Sequence, residues 1–109
     1  MRPTKTVLAA LAAASIFAGP ANATTDGVCY RVVNVEGWDV LNIRARRSAN
    51  SRVVGEIPPR GHGIIAKAGD CRPYDAPPGS RWCRISYYDG DYTARGFVKG
   101  RYLRRTECP

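Results

Sequence analysis

Trp38-Asp-Val-Leu-Asn-Ile-Arg-Ala-Arg-Arg-Ser-Ala-Asn-Ser-Arg-Val-Val-Gly-Glu-Ile-Pro-Pro-Arg-Gly61 is the stretch that decides the fold. Leu41, Ile43 and Ala45 alternate with Asn42, Arg44 and Arg46, the two-residue period of a strand with one dry and one wet face. A polar turn over Ser48 to Ser51 follows, and Arg52 to Ile57 resumes strand character. Leu41, Ile43, Val53 and Ile57 are the expected core positions. Pro58-Pro59-Arg60-Gly61 then stops the strand, because proline donates no ladder hydrogen bond and glycine permits a tight turn.

Outward from this stretch the same pattern repeats. Cys29 to Val35 is β-branched and aromatic and reads as a first strand turned by Glu36-Gly37. Ile64 to Lys67 reads as a further strand. Ala68 to Ser80, with three prolines and two glycines, reads as the longest loop. Trp82 to Tyr88 alternates, with Cys83, Ile85 and Tyr87 on one face and Trp82, Arg84 and Ser86 on the other. Asp89-Gly90 is a hairpin signal, and Tyr92 to Lys99 is the returning strand. Gly100 to Leu103 reads as a short turn before the terminal residues. No segment has a helical period. Five to six short strands in so short a chain predict an all-β fold, a small antiparallel barrel rather than a two-sheet sandwich.

The N-terminal residues predict export. Arg2 and Lys5 precede an apolar run from Val7 to Phe17, and Gly19-Pro20 comes just before Ala21-Asn22-Ala23, the form of a secretory signal peptide cleaved after Ala23. The apolar run falls short of the roughly 20 residues that span a bilayer, so no transmembrane anchor is expected. Residues 24–109 then form one domain. The chain carries a net charge of +8, and loss of Arg2 and Lys5 leaves +6. The expected location is periplasmic or secreted.

Cys29, Cys71, Cys83 and Cys108 all lie in the exported part, and an even number in a small secreted domain reads as a disulfide framework. Zinc ligands usually come in pairs two to four residues apart, whereas the closest pair here, Cys71 and Cys83, is twelve positions apart. Of the three possible pairings, Cys71 with Cys83 at the base of a Pro- and Gly-rich loop and Cys29 with Cys108 near the two ends are favoured.

Four segments in order resemble the bacterial SH3 (SH3b) domains of exported and cell-envelope proteins. They are Leu41-Asn42-Ile43-Arg44, Ser51 to Ile57 ending at Gly61, Trp82-Cys83-Arg84-Ile85, and Gly96-Phe97-Val98 followed by Tyr102-Leu103. The resemblance covers nearly all of the exported part. It implies a small SH3-like barrel and a non-catalytic module that recognises peptidoglycan, peptides or other partners. The chain departs from the pattern where Arg46-Arg47 replaces an expected Gly-Pro, where Phe97 stands for a usual tryptophan, and in the long Cys71 to Cys83 loop.

Chemistry by catalysis is not expected. His62 lies alone between two glycines, no serine sits in a nucleophile motif, and Asp89 and Asp91 suit a turn. No metal and no cofactor are expected. The cationic and aromatic residues carry the functional expectation, because arginine's planar fork suits carboxylate or phosphate and aromatic rings hold sugar or extended peptide. Trp38, Arg44, Arg46, Arg47, Tyr88 and Tyr92 are the expected ligand-binding residues. Arg101, Arg104 and Arg105 form a second basic cluster. The expected partner is a cell-wall or other anionic envelope polymer; the alternative is a secreted interaction or inhibitor protein with one protein partner. Export argues against nucleic acid, and a monomer is expected.

Overall fold

A computed structural model describes residues 27–109. The expected signal peptide, with its cleavage site at Ala23, lies outside the described residues. Among the described residues, seven antiparallel strands form one sheet: β1 Val28–Val32, β2 Leu41–Arg44, β3 Val53–Ile57, β4 Ile64–Arg72, β5 Trp82–Asp89, β6 Tyr92–Lys99 and β7 Leu103–Glu107. Two single 3-10 turns, Pro78–Ser80 and Gly100–Tyr102, are the only helical pieces among the described residues. The order across the sheet is β3-β2-β6-β5-β4-β1-β7.

The all-β, antiparallel expectation holds, but the closed barrel of five or six strands does not. The ladder is open, with β3 at one edge and β7 at the other. The additional strand is β7. It pairs with β1 from Val28 opposite Glu107 to Val32 opposite Leu103, yet four of its five residues are exposed, so it shows no alternation to betray it. Pairing with β1 and the Cys29–Cys108 disulfide hold it instead.

The second correction concerns β4. The strand continues through residues expected to begin the long loop and ends at Arg72. An irregularity between Lys67 and Cys71 divides it, after which Cys71 pairs with Cys83 and Arg72 with Trp82. The bulge absorbs Ala68, Gly69 and Asp70, whose composition reads as loop.

The core lies on the concave side: Tyr30, Leu41, Ile43, Ile57, Ile65, Ile85, Tyr87, Ala94 and Val98 are buried. Tyr87 points inward as its phase with Ile85 predicts. Val53 does not, being 39% exposed. A register shift between Ile43 and Arg44 sets Val53 opposite Arg44 on the wet face, and the half-buried Val54 packs against the core in its place.

Two glycines let the sheet curl. A Cβ at Gly96 would collide with the Arg44 carbonyl oxygen, and one at Gly55 would stand 2.6 Å from the Ala94 Cβ. Their bare backbones allow β2 and β3 to fold across β6. The β5–β6 hairpin turns through Gly90 and Asp91, with Gly90 at φ 61°. A positive φ at the first linking residue matches a type II′ turn.

Both favoured disulfides form, Cys29–Cys108 and Cys71–Cys83. No cysteine is left free, which removes the zinc alternative. Two disulfides suit an oxidising, extracytoplasmic compartment. Among the described residues, no helix is long and apolar enough to cross a membrane.

Candidate functional site

The hairpin of β5 and β6 has one buried face and one turned away from the core. Cys83, Ile85, Tyr87, Ala94 and Val98 fill the first. The second reads Trp82, Arg84, Ser86, Tyr88 along β5 and, opposite them, Lys99, Phe97, Arg95, Thr93 along β6. It contains three cations and no carboxylate.

On this face the cations lie against rings. The Lys99 ammonium is 4.9 Å from the Trp82 ring centre. The Phe97 ring is approached by two guanidiniums, Arg47 at 4.7 Å and Arg84 at 5.9 Å. Arg95 acts on Tyr88: hydrogen bonding with Ser86 first, and with Arg95 second, holds the Tyr88 phenol below the ordinary tyrosine range. The result is a stripe of two cation–aromatic groups, with Arg95 in the next rung and Tyr88 beyond it. Adjacent same-face rungs of an antiparallel hairpin are about 7 Å apart, two residues at roughly 3.4 Å each.

Stacking on a ring orients a guanidinium without neutralising it, because the ring contributes a quadrupole and no charge. The planar fork keeps its N–H donors for an outside acceptor. A cleft of about 460 Å³ continues the stripe beyond Trp82 and Lys99, with Arg44 and Arg101 on its walls opposite Glu36 and Asp39. Its loop wall is fixed where Asn34, at φ 62°, donates from Nδ2 to the Arg101 carbonyl oxygen at 2.8 Å.

The six expected ligand-binding residues are dispersed. Arg47 and Tyr88 belong to the stripe. Arg44 flanks it and lines the cleft, but its guanidinium donates to the Ser51 carbonyl oxygen at 3.1 Å and so also clamps the β2–β3 loop. Arg46 is exposed on that loop, with its backbone N–H bonded to the Ser51 hydroxyl. Tyr92 serves the fold: its hydroxyl accepts the Glu56 N–H at 3.4 Å, and its ring meets Tyr87 edge-on at 6.0 Å. Trp38 sits on the loop that walls the cleft, 82% exposed, and does not line it. His62 is exposed in its turn.

Comparison of the chain with protein-family models, with curated proteins and with solved structures returns no match in any of the three. The functional reading therefore rests on this geometry.

Five stripe residues escaped the sequence reading as a group: Trp82, Arg84, Arg95, Phe97 and Lys99. The signal for them was present. A two-residue turn after Asp89 fixes the register, and counting outward from it sets Arg84 opposite Phe97 and Trp82 opposite Lys99.

Proposed function

We propose that this chain is a non-catalytic, exported binding module that holds an anionic polymer of the bacterial cell envelope, peptidoglycan first among the candidates, along the β5–β6 stripe. The observation that carries the reading is the set Lys99–Trp82 and Arg47–Phe97–Arg84 in neighbouring rungs of one acid-free face, with Arg95 in the rung after them. Such a face repeats along its length, which suits an extended chain bearing carboxylates or phosphates at intervals better than a compact ligand. The rings add sequence-tolerant apolar contact for sugar or polyol faces. Export is supported by the two disulfides and by the leader-like composition of the first 23 residues.

Retention on purified, insoluble peptidoglycan over a salt series tests the proposal. The expected result is retention at low salt that falls as salt screens the contacts. Substituting Arg47, Arg84 and Arg95 together by glutamine should weaken retention by about tenfold or more, if each exposed contact contributes about 0.5–1 kcal/mol. No retention at low salt would sink the peptidoglycan reading. A single protein that co-purifies from envelope extract and survives peptidoglycan digestion would favour the protein-partner alternative.

A further inference from the structure

A second cavity lies on the concave side, where the sheet fails to close. β1 pairs with β4 only at Cys29 opposite Ala66 and Tyr30 opposite Ile65. Past its bulge, the far half of β4 pairs with β5 alone, so a wedge opens between that half and β7. The wedge encloses about 400 Å³, the scale of a small-molecule site. The Cys71–Cys83 disulfide and Tyr30 form its floor, Leu103 and Arg105 one wall, and the 73–81 loop the other.

The loop wall is fixed in place by its own contacts. Arg81 donates from Nε to the Ala76 carbonyl oxygen at 2.8 Å and from a terminal nitrogen to the Tyr74 carbonyl oxygen at 2.9 Å. The Tyr74 hydroxyl donates to Asp70 at 2.6 Å, and the Arg72 guanidinium lies 5.0 Å from the Tyr74 ring centre. Gly100 anchors the base, since a Cβ there would stand 2.5 Å from the Pro78 carbonyl oxygen. The cavity thus exists before any ligand arrives, which lowers the ordering cost of binding.

Its charge is one-sided. Lys67, Arg81 and Arg105 line it against the single carboxylate of Asp70, which is already engaged with Tyr74. Tyr30, Leu103 and the disulfide supply an apolar floor. We propose that this wedge is a second binding site, separate from the stripe, that takes a small organic anion whose carboxylate or phosphate meets Arg105 and whose short apolar or planar body lies over the Tyr30–disulfide floor. A polymer chain does not fit so short a cavity, so the two sites serve different ligand classes.

Benzoate is a suitable probe, with benzyl alcohol as its neutral counterpart, followed by amide NMR on the oxidised protein. The expected result is that benzoate shifts amides of residues 67–83 and 103–105, and that benzyl alcohol binds about tenfold more weakly or worse, as the loss of a charge-assisted contact implies. Arg105→Gln, on an exposed strand, should weaken benzoate by about fivefold or more, while Arg105→Lys retains most of the binding. Arg47→Gln with Arg84→Gln should leave benzoate binding unchanged even if polymer retention is lost, which separates this site from the stripe. Benzoate shifts centred on Trp82 to Lys99, equal binding of the two probes, or a folded Arg105→Gln protein that binds as before would each overturn the proposal.

Discussion

The stripe lies on β5 and β6 and the wedge mainly on β1, β4 and β7, and the two use the same residue types, arginine, lysine and tyrosine, to different ends. On the stripe Lys99 and Arg84 rest on rings spaced by the alternation of a regular hairpin, and Arg47 reaches the same Phe97 ring from the β2–β3 loop. In the wedge the cations are gathered by an irregularity: the bulge in β4 splays the sheet, and a disulfide and a set of loop hydrogen bonds hold the gap open. Regular pairing produces a repeating surface, and a defect in pairing produces a cavity. Removing what is specific to one region should spare the other.

The largest effect is expected from the staple of β7. Replacing Cys29 and Cys108 by serine removes a link across 79 positions, which the chain-entropy model makes worth about 4.5 kcal/mol. Denaturant titration should show a loss of this order. β7 carries the Leu103 and Arg105 wall, so benzoate binding should fall while any protein that stays folded still presents the stripe. Opening the Cys71–Cys83 link, across 12 positions, should cost less, about 3 kcal/mol. An equal loss in the two variants would show that loop length is not what sets the contribution here.

The complementary break is Gly96→Ala. The added methyl would press on the Arg44 carbonyl and the Ile43 side chain, lifting β2 from β6 at a cost of about 1–3 kcal/mol. The shift carries Arg47 away from Phe97, so the expected pattern is weaker polymer retention with benzoate binding intact. A smaller effect on stability is expected from Arg47→Gln together with Arg84→Gln. Exposed cation–aromatic contacts contribute roughly 0.5–1 kcal/mol each, so denaturant titration should show a loss of no more than about 1–2 kcal/mol while retention falls. A large stability loss would mean that these arginines serve the fold rather than a ligand.

The two regions also differed in how far the sequence revealed them. The β5–β6 hairpin, the two disulfides and most of the core were legible, because a two-residue alternation, a Gly-containing turn and an even cysteine count are local signals. Arg46 and Arg47 drew attention as neighbours in sequence, yet only Arg47 reaches Phe97, because its ring partner is supplied by a strand fifty positions later. Tyr92 is exposed, as expected of a surface ring, and its hydroxyl is also bound to the edge strand β3. Of the wedge, only the Cys71–Cys83 link and the basic residue Arg105 were legible, not the cavity they line. It depends on where β4 parts from β1 and on β7, whose exposed arginines carry no strand period.

The smallest effects are in pH dependence, and they fall at opposite ends of the scale. In the wedge wall, the hydrogen bond from Tyr74 holds Asp70 below the ordinary carboxylate range, with lesser help from Lys67 and Arg72. A lowered folded pKa gives a contribution that is present above the unfolded value and is lost as pH falls through the folded one. Tyr74→Phe should therefore let Asp70 titrate nearer its ordinary pH, read by carboxyl NMR. On the stripe, Tyr88 is likewise lowered, by Ser86 and then Arg95, whereas buried Tyr87 is raised by burial and by Asp89. Alkaline titration of tyrosine absorbance should show an early step that Tyr88→Phe removes and a late one that belongs to Tyr87. The Tyr88 phenolate places a negative charge beside Arg95, so polymer retention should decline through that early step. In Tyr88→Phe the decline should shift to higher pH. If wild type and Tyr88→Phe lose retention at the same pH, Tyr88 does not share a surface with the bound polymer, and the stripe ends at Phe97.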